Sequence, residues 1–291
     1  METRKPVAAG QFYPDSADEL RKSIEESFMH RLGPGAMPND TGRGKNVIAA
    51  ISPHAGYIYS GMCAAHSFRA IKEAGDFDLF LIIGFSHSGF DREGGSTLAL
   101  DWETPLGIAE VDKEFVKLLL KETSVAENPM AINNEHSIEV QLPFLQFLYK
   151  KFMFVPLSVS HYCDFSKLAK EIRAVVKKTG KRVCYIASSD FTHYGYNFDY
   201  VPFKENIKEN LKKLDMGAVE LIKKLDTGGF LGYLDKTGAT ICGRSSIALL
   251  LELLKDNIYK GELLNYYTSG DIMDDYSHCV SYASIVFEEK K

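Results

Sequence analysis

Four runs of apolar residues constrain the fold of this chain most strongly, because each has the length of a buried strand and none alternates with polar residues. The four predicted strands are Asn46–Ser52, Asp78–Gly84, Phe152–Val159 and Arg182–Ser188. Segments with helical periodicity lie between them, at Ser60–Ala74, Lys113–Glu122 and Phe165–Lys178. Strands that are buried on both faces and alternate with helices are typical of a parallel sheet. We therefore predict an α/β fold with a mostly parallel central sheet and helices on both faces.

The flanking segments complete this prediction. Further helices are expected at Ala17–Met29, Lys204–Leu214, Ala218–Lys224 and Arg244–Leu254, and closing strands, interpreted as antiparallel edges, at Leu263–Thr268 and Val280–Phe287. Ser137 is expected to begin one more helix, which Pro143 should kink or delay. No shift in composition divides the chain, so we predict a single α/β domain over residues 1–291.

Charge and cysteine usage narrow the class of protein. The formal net charge is −5, and the lysines and arginines do not form the dense cluster that phosphate binding requires, which argues against a nucleic-acid partner. The five cysteines form no CxxC pair, and Met1–Pro6 is charged, so we predict reduced thiols and no secretory signal. The longest apolar run, near Ala248–Leu254, is too short to span a bilayer. We expect a cytoplasmic protein that does not contact a membrane.

Three of the predicted strands are followed at once by a histidine. His54 lies in PHAGY after the first strand, His87 lies in SHSG after the second, and His193 lies in SSDFTHYG after the strand that ends at Ser188. Ligands of open α/β sheets bind outside the carboxyl ends of the strands. One histidine in such a loop more often forms only a hydrogen bond, but three of them, flanked by glycine or serine, indicate a shared polar site.

The residue types in this site suit a transition metal. Imidazole is the most common ligand of such metals, and convergent imidazoles suit zinc, iron or copper. Cys242 precedes the predicted helix that begins at Arg244, where the helix N-terminus and that guanidinium should favour a thiolate. A free cysteine is equally often a small buried hydrophobic residue. The spacing leaves both interpretations of Cys242 open.

Two further residues are candidates for catalysis. His136, in EHSIE at a predicted helix start, either faces a bound anion as a neutral imidazole or caps the helix. Asp190 either orients His193, as carboxylates near metal-site histidines do, or only stabilises the turn that both share. His161 also follows a strand, and its setting favours a structural role. The chain has no GxSxG elbow, P-loop or GxGxxG after a strand, which weighs against hydrolase, nucleotide and dinucleotide sites.

Longer motifs throughout nearly the whole chain resemble the Memo family. They are RKPVAAGQFYP at 4–14, PHAGY at 53–57, SHSG at 86–89, TPLG at 104–107, EHSIEVQLPFLQ at 135–146, SSDFTHYG at 188–195 and ICGR at 241–244. Several of these motifs are long and contain rare residue types, so chance agreement is remote. Memo proteins are similar in fold to class III extradiol dioxygenases, and the resemblance implies that LigB-like architecture for this chain.

The resemblance also implies a ligand set. The metal ligands of the family match His54, His87 and Cys242, and the histidines that line the same pocket match His136 and His193. Extradiol dioxygenases hold Fe(II) with two histidines and a carboxylate. A thiolate is a softer ligand, so this set favours iron or copper with altered redox behaviour. The ring-cleaving reaction is not carried over with the fold.

Three functions are consistent with these expectations. The first is a metal-dependent, dioxygenase-like redox enzyme acting on an unknown small substrate, in which His193 is acid or base, Asp190 orients it and His136 neutralises developing charge. The second is a non-catalytic module that binds a peptide or partner protein in the pocket. Animal Memo proteins act in signalling and bind phosphotyrosine peptides, and microbial relatives occur beside radical-SAM and AMMECR-type partners. The third is copper or iron handling.

Overall fold

The computed structural model describes residues 2–39, 46–87, 89–90, 94–255 and 259–289, and within them the chain forms a large mixed sheet with helices packed on it. The predicted α/β class is confirmed. The predicted strands and most predicted helices are present, with ends that differ by up to three residues in the central region. The Gly/Pro-rich segment of residues 32–45 lies partly outside the described residues.

The bounds of the elements are as follows. The strands are β1 (Thr3–Arg4), β2 (Val47–Ser52), β3 (Leu79–Gly84), β4 (Gly95–Thr97), β5 (Asp101–Thr104), β6 (Gly107–Val111), β7 (Val125–Glu127), β8 (Met153–Val159), β9 (Val183–Ser188), β10 (His193–Tyr194), β11 (Tyr259–Thr268) and β12 (Cys279–Glu289). The helices are α1 (Ala17–Met29), α2 (Tyr57–Glu73), α3 (Lys113–Glu122), α4 (Pro129–Ile132), α5 (His136–Glu139), α6 (Leu142–Leu148), α7 (Phe165–Thr179), α8 (Ile207–Lys223), α9 (Thr227–Thr237), α10 (Arg244–Leu254) and α11 (Gly270–Met273). A short 3₁₀ helix lies at Tyr196–Phe198.

The sheet combines parallel and antiparallel pairs. Its main path runs β1-β5-β6-β8-β3-β9-β2-β12-β10, while β11 pairs with β12, and β4 pairs with β7 and β8. Neighbours from β6 to β2 run parallel, whereas β12 is antiparallel to β2, β10 and β11. The sheet as a whole is mixed rather than mostly parallel. The short connections between β5 and β6 and between β11 and β12 make those two pairs antiparallel, since parallel strands need a longer crossover.

Helices cover both faces of the central strands. The connection from β2 to β3 through α2 and the connection from β8 to β9 through α7 run in opposite directions along the sheet. Because such crossovers are right-handed, they place α2 and α7 on opposite faces. α2 packs on β2 and β12, while α7 packs on α10, which in turn lies on β9, β3 and β8. This arrangement buries β3 completely, as the continuous apolar run predicts.

Pro143 separates two helices rather than kinking one. α5 ends at Glu139, and α6 begins at Leu142 with Pro143 in its first turn, where the missing N–H has no helical partner to lose. The predicted effect of Pro143 is thus confirmed as a delay. α5 is only four residues long, and it carries His136 at its first position.

The region after residue 204 differs most from the prediction. The two predicted helices are one continuous helix, α8, and α9 follows it unpredicted. Gly217 allows this packing, because a Cβ there would lie 2.3 Å from the hydroxyl of Tyr233 on α9. Glycines within α9 hid its helical pattern, but Asp226 caps it by accepting a hydrogen bond from the N–H of Gly229. Among the described residues, no helix has the length and apolar character needed to cross a membrane.

Candidate metal centre

Three histidines meet at the carboxyl ends of the central strands. β2 leads into His54 and β3 leads into His87, while α5 brings His136 to the same place. The ring centroids of His54 and His87 are 5.4 Å apart, and that of His136 lies 5.6 Å from the first and 4.2 Å from the second. One ring nitrogen of each lies within 4.8 Å of the others. Two of the three expected strand-end histidines, His54 and His87, therefore meet here; the third member is His136, and His193 belongs to neither group of ligand atoms found among the described residues.

A second group of ligand atoms shares His54. It comprises His54, Asp190 and Cys242, again with ligand atoms within 4.8 Å of one another. The Sγ atom of Cys242 lies 3.1 Å from Nε2 of His54. The trio expected from the family resemblance is thus spread over both groups: His54 belongs to both, His87 to the first and Cys242 to the second.

A buried hydroxyl decides which nitrogen of His54 carries the proton. The hydroxyl of Ser188 donates to the carbonyl of Ser137 at 2.6 Å, and the Nε2 amide of Gln141 donates to Ser188 Oγ at 2.9 Å. Gln141 also donates to the carbonyl of Pro53, which fixes the orientation of its amide. With its own hydrogen in use, Ser188 accepts from Nδ1 of His54 at 2.9 Å. Nε2 of His54 therefore presents a lone pair to the pocket.

His87 is held by the carboxylate of Glu135. Glu135 Oε1 accepts from Nδ1 of His87 at 2.9 Å, and Oε2 accepts from the backbone N–H of His87 at 2.8 Å. Burial alone raises the pKa of Glu135, but the hydrogen bond and charge of His87 outweigh this effect and bring the pKa to about 2. An ionised carboxylate only accepts, so Nδ1 of His87 carries a proton, and in the neutral form of this imidazole the lone pair is on Nε2.

Main-chain carbonyls orient His193. Its Nδ1 lies 3.0 Å from the carbonyl oxygens of both Phe191 and Thr240, so it is the protonated nitrogen and Nε2 holds the lone pair. The carboxylate of Asp190 accepts instead from the backbone N–H groups of His54 and Ala55, at 2.8 and 3.3 Å. The hydrogen bonds thus assign the orienting of His193 to the main chain, and Asp190 shapes the turn that carries His54.

Burial keeps the pocket imidazoles neutral. It lowers the pKa of His54 to about 3, helped by the nearby charge of His87. It also lowers the pKa of His136 to about 3, with His54 and His87 contributing. Neutral imidazole is the form that a metal requires.

The cysteine differs from expectation. Burial of its sulfur, reinforced by Asp190, raises the pKa of Cys242 well above the usual value, so the thiol is neutral in the metal-free protein. The expectation that the helix N-terminus and Arg244 favour a thiolate is therefore wrong for this state. The guanidinium of Arg244 instead binds Asp235 at 2.9 Å. A bound metal would reverse this balance, because a thiol that coordinates a metal is deprotonated.

Sequence reasoning missed the residues that support these ligands. Glu135, Ser188 and Gln141 orient imidazoles, while the ring of Phe12 lies 4.4 Å from that of His136 and the ring of Phe85 lies 4.1 Å from that of His87. All five lie inside or beside the motifs that carry the family resemblance, so their positions were visible but their roles were not. His161 fits its structural interpretation, with Nδ1 hydrogen-bonded to Ser245 Oγ at 2.7 Å.

The arrangement defines a class of protein: a mixed α/β sheet with a cluster of neutral imidazoles and one thiol at its strand ends. The family model described as "Memo-like protein" matches residues 4–286. A "MEMO1 family protein" of Desulfurococcus amylolyticus is 40% identical over 292 residues, which cover 99% of each chain. Others from Methanopyrus kandleri (37% identical, 98% of each chain) and Thermotoga neapolitana (38% identical, 97% of this chain and 99% of the relative) are similar throughout. The chain belongs to the Memo family.

Proposed function

We propose that this protein binds iron or copper through His54, His87 and Cys242 and uses the metal in a redox reaction on a small substrate. One observation carries the proposal: a thiol lies 3.1 Å from the lone-pair nitrogen of a buried, neutral histidine. Neither the Cys242 thiol nor the His54 imidazole needs to lose a charged partner for the metal to bind. Mixed sulfur and nitrogen donors suit copper and iron better than magnesium or calcium, which prefer oxygen.

The donor set fits such an ion. The hydrogen bonds made by Nδ1 of His54 and His87 leave Nε2 of each available, and Cys242 adds a sulfur. When bound, the ion would supply Lewis-acid and redox chemistry. A ring nitrogen of His136 lies within 4.8 Å of those of His54 and His87, so His136 either completes the coordination or faces the substrate.

The remaining polar groups are suited to moving a proton. His193 is protonated at Nδ1 and therefore offers Nε2 as a base toward a substrate. His136 is neutral and partly exposed, so its ring N–H can donate a hydrogen bond to negative charge that develops on a substrate. Asp190 keeps the His54 turn in place through two backbone N–H groups.

We further propose that the fold is LigB-like, as in class III extradiol dioxygenases. The parallel run from β6 to β2 and the histidines at its carboxyl end support this. The proposed ligand set has a thiol in place of the carboxylate of the two-histidine, one-carboxylate iron sites, so oxygen-dependent ring cleavage is one reaction to test rather than the assumed one.

A direct experiment is to purify the protein without a histidine tag, measure bound metals, and follow oxygen uptake with catechol-like substrates. Cys242→Ser should lose most of the bound metal. Cys163→Ser is the matched control, since Cys163 is buried and belongs to neither ligand group. Metal-free protein at full yield, or equal metal content in both variants, would refute the proposal.

A second candidate function is the capture of a peptide or partner protein, such as the radical-SAM and AMMECR-type proteins expected from the resemblance. Exposed aromatic residues beside the pocket favour it: Tyr196 is 74% exposed, and Phe198 packs its ring 5.1 Å from that of His193. Stable co-purification of a partner that survives metal removal and is lost in Tyr196→Ser would support binding over catalysis. Tight copper or iron retention without turnover or a partner would instead support metal handling.

A further inference from the structure

The side chain of His87 lies in the loop after β3 and could adopt more than one orientation there. This side chain is 36% exposed, and His87 lies three residues after the end of β3. A histidine in such a place has two rotatable side-chain bonds and two neutral tautomers, and only one combination directs Nε2 to the pocket. A contact with the His87 side chain must select that combination.

Glu135 makes the contacts that select it. The carboxylate is only 2% exposed and holds His87 at two points, the backbone N–H and Nδ1. Oε1 also accepts from the backbone N–H of Ser137 at 2.7 Å, which ties the carboxylate to the start of α5. Both oxygens therefore act only as acceptors. An amide at this position has one acceptor and would turn its NH₂ group toward an N–H.

The N-terminal segment holds Glu135 from the other side. The guanidinium of Arg4 donates to the carbonyl oxygens of Glu135 at 2.8 Å and Ile132 at 3.2 Å, and it forms a buried ion pair with Glu139. It also lies 3.8 Å from the ring centroid of Trp102. This gives a physical role to the first motif of the chain, which the proposed metal chemistry does not use.

We propose that Glu135 is the positioning residue of the pocket: anchored by Arg4, it fixes His87 in one rotamer and in the Nδ1–H tautomer, with Nε2 free. Its effect on metal affinity depends on the proposed function. Its effect on the tautomer does not, because it is present in the metal-free protein. Residues that orient metal-binding histidines typically change metal affinity by 10- to 100-fold when altered.

The first test needs no variant other than one for assignment. In metal-free protein labelled with ¹⁵N-histidine, long-range proton–nitrogen spectra at about pH 8 report the tautomer of each neutral imidazole. The signals of His87 are those missing in His87→Gln. We expect a protonated Nδ1 and an unprotonated Nε2. An Nε2–H tautomer or an averaged mixture in the wild-type protein would overturn the proposal.

The second test compares two neutralised carboxylates. Glu135→Gln should give averaged or Nε2–H signals for His87 and leave those of His193 unchanged. Asp112→Asn is the matched control, because Asp112 is also buried and caps a helix by accepting from the N–H of Phe115. A wild-type His87 spectrum in Glu135→Gln, or the same change in Asp112→Asn, would contradict a positioning role.

The third test uses Cu(I) alone, under reducing conditions, in competition with a chromophoric chelator. Affinity should fall 10- to 100-fold in Glu135→Gln and stay unchanged in Asp112→Asn. If wild-type protein binds no Cu(I) while the tautomers are as expected, the copper site fails and the positioning role stands. If wild-type protein binds Cu(I) and Glu135→Gln binds it equally well, the positioning role fails and the metal site stands.

Discussion

At the scale of single residues, one hydroxyl governs what His54 can do. Ser188 uses its hydrogen on Ser137 and receives hydrogen bonds from Gln141 and His54, so it is a saturated link between three segments. Its removal leaves two buried N–H groups and one carbonyl short of a partner. Buried groups of this kind cost about 1–3 kcal/mol each when they are left unsatisfied.

We therefore expect Ser188→Ala to lower the free energy of unfolding by roughly 2–4 kcal/mol, since relaxation recovers part of the loss. Urea denaturation followed by fluorescence would measure it. Ser52→Ala is the control, because Ser52 lies on the neighbouring strand and its buried hydroxyl has no hydrogen-bond partner among the described residues. Its loss should change the free energy by less than about 1 kcal/mol. Equal effects of the two substitutions would contradict the role of Ser188.

The buried imidazoles also predict how stability depends on pH. Burial lowers the pKa of both His54 and His136 to about 3, while the unfolded chain titrates near 6.5. Between pH 6.5 and 3 the unfolded state binds protons that the folded state does not bind, so the free energy of unfolding falls as the pH falls. Glu135 adds to the loss only below about pH 4.5.

Metal-free protein should thus lose on the order of 1–2 kcal/mol per histidine between pH 7 and pH 5. Chemical denaturation at a series of pH values measures this slope. His136→Gln should reduce the slope over this interval by about half. A wild-type stability that stays constant from pH 7 to pH 5 would rule out neutral buried imidazoles.

At the residue scale, part of the site could be predicted from the sequence. The positions of His54, His87 and His193 could be predicted, because each histidine lies shortly after an apolar run of strand length. Glu135 and Ser188 could not be assigned, because their roles depend on which segments meet in space. The protonation of Cys242 was predicted wrongly, since proximity to a helix N-terminus was weighed without knowing how deeply the sulfur is buried.

At the scale of elements, α5 connects the N-terminal segment to the pocket. Glu139 accepts hydrogen bonds from the backbone N–H groups of Val7 and Ala8 and from the hydroxyl of Tyr13, and it pairs with Arg4. These contacts bring Phe12 against His136. A helix of four residues gains little stability of its own, so tertiary contacts of this kind must hold it.

Breaking the buried ion pair should be costly. We expect Arg4→Met to lower the free energy of unfolding by about 3–5 kcal/mol, because it leaves the Glu139 carboxylate buried without its cation. Lys5→Met is the matched control, since Lys5 pairs with Glu103 on the exposed surface and such pairs contribute about 0–1 kcal/mol. Urea denaturation of both variants gives the comparison. A similar small loss in both would mean that the Arg4–Glu139 pair does not hold α5.

The bounds of helices could be predicted where one hydrophobic pattern dominated the segment. α1 and α3 have the expected bounds because their apolar residues recur on one face, and α10 has them because it is an apolar run of helical length, buried all round. α9 was missed because three of its residues are glycine, which favours turns over helices in isolation. Packing against α8 overrides that preference.

At the scale of the whole molecule, the sequence predicted the α/β class but not the place of β12. It was expected at an antiparallel edge, and it lies inside the sheet, where it pairs with β2, β10 and β11. An apolar run shows that a strand is buried, but it does not show which strands are its neighbours. Only the assembled chain defines that order.

Metal binding should stabilise the molecule as a whole. A ligand at 100 times its Kd adds about 2.7 kcal/mol, which corresponds to a rise in Tm of roughly 4–8 °C for a chain of this size. We expect that rise with Cu(I) or Fe(II) under anaerobic conditions, and none with Mg²⁺, which prefers oxygen ligands. Differential scanning fluorimetry would measure it. An equal rise in wild type and Cys242→Ser would exclude the thiol as a ligand.

The place of β12 also has a consequence for biosynthesis. Residues leave the ribosome in chain order, so β2 is made early while β12 comes after every other strand of the sheet. For most of translation, one edge of the strand that carries His54 therefore has no neighbour, and an open edge invites pairing with other chains. A chain that stops before β12 should aggregate or be degraded instead of persisting with a half-built pocket. Strand order thus delays completion of the reactive site until the rest of the sheet has been synthesised.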